Sequence, residues 1–337
     1  MDPDSVDDVS RVPHGSSDES DVLDLSANIN PRTPDGSRGV YEAAFGDARS
    51  YPNDGYPEFR SAAAGYVGSD PESIVPTAGG LSAIRLTIGV TIEPGDRVLV
   101  PYPSFGEYAR EVKLAGGEAV TVPHDELLGH DPGGYAMAIV CTPNNPTGDC
   151  PPANELRSFA DRCASAGARL LADEAFLGFT ERESLAGREH VVVARSLTKL
   201  FGLPGLRAGF AVAEGDLLDR LRTARPAWSL GGPAAAVGTH AMRDEEFIAD
   251  TRRRIARERA FLRDGLEARG FEVAPSEAPF VLCDVGEAPS ELLATCHDRG
   301  IVLRDATTFR GLDRHVRIAV RSREATERLL SVLDEVR

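Results

Sequence analysis

Short, unbroken apolar runs mark the first two thirds of the chain. Residues 98–100, 138–141, 170–172 and 191–193 show no polar alternation. Such runs predict strands buried on both faces. Amphipathic stretches, such as residues 153–166, fall between them and predict helices. Strands and helices in alternation point to a mostly parallel sheet covered by helices on both sides.

The pattern changes after about residue 235. Ile248, Ile255 and Leu262 recur every seventh position and predict one long helix over 244–269, broken at Gly270. Residues 271–273 and 280–283 follow as apolar runs, then a helix over 290–299 and strands over 301–303 and 316–320. A last helix places Leu329, Leu330, Leu333 and Val336 on one stripe. The expected division is an arm over 1–40 that joins the small domain, a large domain over 41–235, and a small α+β domain over 236–337. Residues 1–22, rich in Asp, Ser, Gly and Pro, are expected to be mobile.

Charge removes some functions. The chain carries 53 acids against 37 bases, a net −16, with no basic cluster of the kind nucleic acid needs. The N-terminus is acidic and lacks an apolar signal core, and no apolar run approaches the ~20 residues of a membrane span. A cytoplasmic protein with no membrane or nucleic-acid partner is expected. Five cysteines without a C-x-x-C pair predict neither a disulfide framework nor a metal site; they read as small buried hydrophobes. Lysine is nearly absent: only Lys113 and Lys199 occur. Lys113 sits on a helical stretch and reads as a solvated position.

In a doubly wound sheet, ligands lie beyond the carboxyl ends of the strands. Three successive strands deliver Asn144-Asn145-Pro146-Thr147-Gly148, Asp173-Glu174-Ala175-Phe176 and Ser196-Leu197-Thr198-Lys199 to that edge. Arg207 follows eight residues after the lysine. Gly79-Gly80-Leu81-Ser82, before an apolar helix, offers free backbone N–H groups to a phosphate. An amine, a carboxylate, an amide and a guanidinium suit pyridoxal phosphate: an imine-forming lysine, a partner for the ring nitrogen, a donor to the ring oxygen and a phosphate clamp. Glu174 neighbours Asp173, but adjacent strand residues face opposite ways. A dinucleotide-binding protein would need G-x-G-x-x-G after the first strand, and none is present. A non-catalytic binding module on this fold would have no use for Lys199 together with Asp173.

These motifs resemble the fold-type-I pyridoxal-phosphate enzymes of the aminotransferase class I/II group. The resemblance implies that Lys199 is the Schiff-base lysine and Asp173 the pyridinium partner. It also implies that Asn145 binds the ring oxygen, Ser196 and Arg207 bind the phosphate with Gly80 and Leu81 as backbone cradle, and Phe105 stacks on the ring. Tyr51 would reach a neighbouring subunit's phosphate, which implies a homodimer, and Arg317 would grip the substrate carboxylate. Phe176 stands where many relatives have tyrosine, whose hydroxyl helps hold the ring oxygen.

A narrower resemblance, carried by His14-Gly15, residues 25–31 and residues 300–321, is to threonine-phosphate decarboxylases of cobalamin biosynthesis. It implies a small phosphorylated amino-acid substrate, L-threonine O-3-phosphate, held by His14, Asn28, Arg304, Arg317 and Arg321. The sequence departs from that family at Ser16, where a second glycine is usual, and at Ala306-Thr307-Thr308. Histidinol-phosphate aminotransferases share the cofactor motifs and form the alternative.

Overall fold

A computed structural model describes residues 1–286 and 289–335. Seven strands form the central sheet, in the order Ile74–Thr77, Gly209–Val212, Val191–Ser196, Arg169–Asp173, Met137–Cys141, Arg97–Tyr102 and Glu118–Pro123. Gly209–Val212 runs antiparallel to both its neighbours, and the pairings from Val191–Ser196 to Glu118–Pro123 are parallel. The four predicted strands are the sheet's centre.

Their burial on both faces is visible in where alternate side chains go. Leu99, Ala138, Val140, Leu170, Ala172, Val191 and Val193 enter one core, shared with Leu156, Phe159 and Cys163 of helix Ala153–Ser165. Val98, Val100, Met137, Ile139, Leu171 and Val192 enter the other, against Ala83, Ile84 and Ile88 of helix Gly80–Thr91 and Leu217 and Leu221 of helix Gly215–Ala224. Period-two side-chain alternation with two apolar faces leaves no polar position, hence the continuous runs.

Two strands that the apolar pattern passes over are the edges. Ile74–Thr77 contains Pro76, which an edge strand tolerates because one of its sides makes no ladder bonds. Glu118–Pro123 closes the opposite edge.

The long predicted helix is Glu245–Glu267, capped by Asp244, whose side chain accepts from the Phe247 N–H. Ile248, Ile255 and Leu262 are buried as their spacing requires. Gly270 has φ 74°, a left-handed geometry that suits glycine just past a helix end. A four-stranded antiparallel sheet follows, ordered Arg304–Asp305, His315–Ala319, Phe280–Asp284 and Glu272–Val273. The last helix, Arg323–Glu335, buries Leu329, Leu330 and Leu333; Val336 lies outside the described residues.

The N-terminal residues differ from the expectation of a mobile arm. The segment is docked along helix Glu107–Leu114. Asp2 N–H donates to the Leu114 carbonyl at 2.7 Å, and Arg110 Nε donates to the Ser10 carbonyl at 3.2 Å. Val12 packs so closely on Gly106 that a Cβ there would meet its methyl at 2.8 Å. Polar composition made this arm read as solvated, yet its backbone and one valine do the docking. Further along, Leu23–Asp24 pairs in parallel with Ile301–Val302.

Candidate active site

The parallel register sets Cys141 beside Asp173 and Asp173 beside Ala194, so the strand ends converge on one edge. Beyond that edge is a cavity of about 210 Å³. Its walls include Lys199, Asp173, Asn145, Phe105, Asn28, His14, Arg304 and Arg317, together with Tyr108 and Phe176.

Asp173 is fully buried. Its Oδ2 accepts from the Tyr108 hydroxyl at 2.6 Å and its Oδ1 from the Ala175 N–H at 3.0 Å. Burial pushes its pKa above the ordinary carboxylate range; the Tyr108 and Ala175 hydrogen bonds and the Lys199 and Arg195 charges oppose the rise. Glu174 points the other way, as strand alternation requires. It accepts from Ser184 and Leu185 and faces Arg195 at 3.4 Å.

Lys199 has its pKa lowered to about 8, first by burial and then by the charges of Arg317 and Arg207. Its Nζ lies 6.0 Å from the centre of the Phe176 ring, which itself packs edge-on against Phe280. A lysine with its ordinary pKa is almost wholly protonated at neutral pH; one near 8 presents a usable neutral amine. The capture of pyridoxal phosphate by the apoprotein should therefore speed up about tenfold per pH unit on the acid side and flatten above pH 8. Stopped-flow absorbance across pH 6–10.5 reads this directly. A rate still climbing at pH 10 would show that Lys199 is not desolvated.

Arg304 and Arg317 are cross-strand partners in the small sheet. Like charges in that position repel, and among the described residues neither has a carboxylate within ion-pair distance. Arg317 Nη2 donates to the Ser26 carbonyl at 2.8 Å and Nη1 to Asn145 Oδ1, while its buried Nε has no partner among the described residues. Burial, and then Arg304, lower its pKa to about 9. Arg304 Nη2 donates to the Pro13 carbonyl at 2.9 Å and to Thr308 at 2.8 Å. Asn28 Oδ1 is also buried without a partner among the described residues. The arrangement fits an anionic substrate group lying between the two guanidiniums.

The residues expected to hold the phosphate sit at the foot of helix Gly80–Thr91. A Cβ on Gly79 would come within 2.8 Å of Arg207 Nη2, and one on Gly80 within 3.1 Å of Ser196 Cβ. Glycines here let backbone, guanidinium and hydroxyls share one small space. Ser196 Oγ and Thr198 Oγ1 are 2.8 Å apart. Arg207 has no carboxylate partner among the described residues and holds φ 51°, a strained geometry for a side-chain-bearing residue. The Leu81 N–H lies in the first turn, where helix N–H groups lack intrahelical partners. The cluster fits a dianionic phosphate, Asp173 fits the ring nitrogen, and Lys199 the aldehyde.

Two predicted residues lie elsewhere. Arg321 does not border the cavity; its Nη2 donates to the Asp24 and Ala27 carbonyls and props the backbone that carries Asn28. Tyr51 is 78% exposed, stacked on Trp228 at 4.3 Å, with no contact to the cavity of its own chain. His14 does reach the cavity, with Nε2 3.0 Å from Glu107 Oε1 and its ring 5.7 Å from Phe105. Sequence reasoning passed over Tyr108 and Glu107. The spacing Phe105-x-x-Tyr108 was the available signal, since residues three apart at a helix start share a side.

A lysine, an acid, an amide and a phosphate clamp at the strand ends of this fold define an enzyme that carries pyridoxal phosphate. The chain belongs to the family of class I and II aminotransferases, whose model matches residues 20–333. Histidinol-phosphate aminotransferase from Symbiobacterium thermophilum is 32% identical over 327 residues, 93% of this chain and 90% of that protein. Histidinol-phosphate aminotransferase 1 from Archaeoglobus fulgidus is 31% identical over 323 residues, 94% of this chain and 99% of that one. A crystal structure of L-threonine-O-3-phosphate decarboxylase from Porphyromonas gingivalis has a TM-score of 0.85, covering 94% of this chain and 99% of its own. At 23% identity that likeness speaks to fold alone.

These relatives overturn the expectation of threonine-phosphate decarboxylation, and with it the cobalamin assignment. The segments that suggested it, His14-Gly15, 25–31 and 300–321, contain or border the Arg304–Arg317 pair. Gripping a carboxylate serves removal of CO2 and transfer of an amino group alike, so those segments do not separate the two reactions.

Proposed function

We propose that this enzyme is an aminotransferase of the histidinol-phosphate type, moving an amino group between a phosphate-bearing amine and a 2-oxo acid. The observation that carries the reading is the facing pair Arg304–Arg317, without acidic partners, beside Lys199. A two-stage transfer must accept a dicarboxylate and a phosphomonoester in turn, and cations not committed to a fixed carboxylate suit both. The names of the relatives support the same reading.

Bound pyridoxal phosphate supplies an electron sink for the pair left at the substrate's α-carbon. Asp173 keeps a proton on the ring nitrogen, and Tyr108 fixes the direction of its carboxylate. Lys199 Nζ, as a neutral amine, takes the α-proton and delivers it again. Arg317, set by the Ser26 carbonyl and Asn145, would hold the substrate's anionic end and so orient its α-carbon toward Lys199. The docked arm residues Val12–Gly15 and the ring of Phe309 keep water from the cavity. Gly15 lies so close to Ser26 that a Cβ would sit 2.4 Å from its carbonyl oxygen.

Purified protein loaded with cofactor should convert histidinol phosphate and 2-oxoglutarate to glutamate, read by a glutamate-coupled assay. Absence of glutamate, with no amino transfer to 2-oxoglutarate, would defeat the reading.

We further read the chain as a cytoplasmic homodimer with a large domain over 41–235 and a small one over 236–337 that receives the arm. Tyr51 stacked on Trp228, with Phe45 66% and Tyr41 41% exposed nearby in sequence, supplies an aromatic face suited to a second copy. Light scattering should give twice the 36.0 kDa chain mass. A monomer that stays active at nanomolar concentration would rule the dimer role of Tyr51 out.

A further inference from the structure

A second cavity, of about 340 Å³, lies against the active site and is divided from it by the arm. Val12, Pro13, Phe105, Gly106, Arg304 and Phe309 border both spaces. Its volume has a local cause. Ala109 and Lys113 stand four residues apart on one face of helix Glu107–Leu114, and Ala119 and Thr121 lie on one face of strand Glu118–Pro123. Alanine on both walls, and glycine at 106, leave the space that larger side chains would fill.

The charge on its walls is one-sided. Lys113, Arg304 and Arg310 line it, and no aspartate or glutamate does. Among the described residues none of the three has a carboxylate within ion-pair distance. Other arginines of the chain, such as Arg157, Arg182 and Arg269, are committed to carboxylates; these three cations are not. Arg310 is positioned by two contacts: Nη1 donates to Thr121 Oγ1 at 2.6 Å, and its guanidinium lies 4.6 Å over the Tyr102 ring. Thr308 and Tyr102 add hydroxyls to the same walls. Lys113, exposed in the last turn of helix Glu107–Leu114, turns toward this space.

We propose that this cavity is a second anion subsite, which takes a phosphate-type dianion on Lys113, Arg310 and Arg304. Three cations from separate segments line this one space; Arg310 can offer a phosphate a planar fork and Lys113 a point charge. Arg304, common to both cavities, links occupancy of this subsite to the grip on the substrate. Two sources carry that chemistry: the phosphate of a phosphomonoester substrate on its way to the Arg304–Arg317 pair, or free phosphate from solution. The proposal stands apart from the identity of the amine substrate.

The test titrates inorganic phosphate by calorimetry into the full-length, cofactor-loaded protein, whose cofactor already fills the clamp at Arg207. The parent is compared with Lys113→Ala and with Lys113→Ala/Arg310→Ala. Both positions are exposed, so the fold should persist, and the cofactor's absorbance band checks that the site is intact. Phosphate should bind the parent and lose at least tenfold in affinity in the double variant, with the single variant between. Equal binding in parent and double variant, or no binding in the parent, overturns the proposal. A second arm finds the source. A KM for histidinol phosphate raised about tenfold, with the KM for 2-oxoglutarate unchanged, assigns the subsite to the substrate's phosphate; unchanged KM values with phosphate binding lost assign it to the free anion. If the parent binds phosphate but does not turn over histidinol phosphate, the aminotransferase reading fails and the subsite remains.

Discussion

Replacing Lys199 by alanine should abolish turnover, with a loss on the order of 10⁴-fold or more. Two functions go together: the amine that holds the cofactor and the base that moves the α-proton, the latter alone worth roughly 10²–10⁴-fold. The fold should survive. Lys199 Nζ makes no described hydrogen bond, and the segment is held instead by the Lys199 carbonyl, which accepts from the Asn30 N–H at 3.0 Å. Circular dichroism should match the parent, and the absorbance band of lysine-bound cofactor should vanish. More than trace activity in the variant would place the chemistry at another residue.

The second large effect is expected at Asp173. Changing it to asparagine keeps the shape and leaves an oxygen for the Tyr108 hydroxyl, but removes the charge that favours a protonated ring nitrogen. Loss of one preorganised electrostatic partner costs roughly 10²–10³-fold in kcat. Cofactor should still bind, since Lys199 and the clamp around Arg207 are untouched. Steady-state rates alongside cofactor titration separate these effects. A variant as fast as the parent would mean that Asp173 does not face the ring. The buried setting of Asp173 sharpens the expectation. Burial alone favours a neutral carboxyl, and Tyr108, Ala175, Lys199 and Arg195 all push back toward the carboxylate.

The parts of the structure legible in the sequence are those where one residue type has one use. Strands 97–102, 137–141, 169–173 and 191–196 carry unbroken apolar runs because their two faces enter two cores, each covered by helices. That Asp173, Lys199 and Asn145 meet at one cavity was legible because they end or follow those strands. Edge strand Ile74–Thr77 was not, because its proline argues against a strand until its edge position is known. Tyr108 was hidden for a different reason: its partner Asp173 is 65 residues away, and its hydroxyl matters only through that long-range contact. Arg321 shows the reverse difficulty. An arginine near a binding segment resembles a ligand, but its guanidinium serves backbone carbonyls. The reaction itself was the least legible feature, since the same carboxylate grip serves cleavage at either of two α-carbon bonds.

The proposed chemistry passes through Lys199, and with only two lysines in the chain it is unusually accessible to test. Cofactor-loaded protein is reduced with borohydride, digested, and mapped by mass spectrometry. The account predicts one phosphopyridoxyl group, on the peptide carrying Lys199, with Lys113 unlabelled and no label when Lys199 is alanine. Labelling confined to Lys113 or the N-terminal amine, or an unlabelled Lys199 in protein that is active, would contradict it.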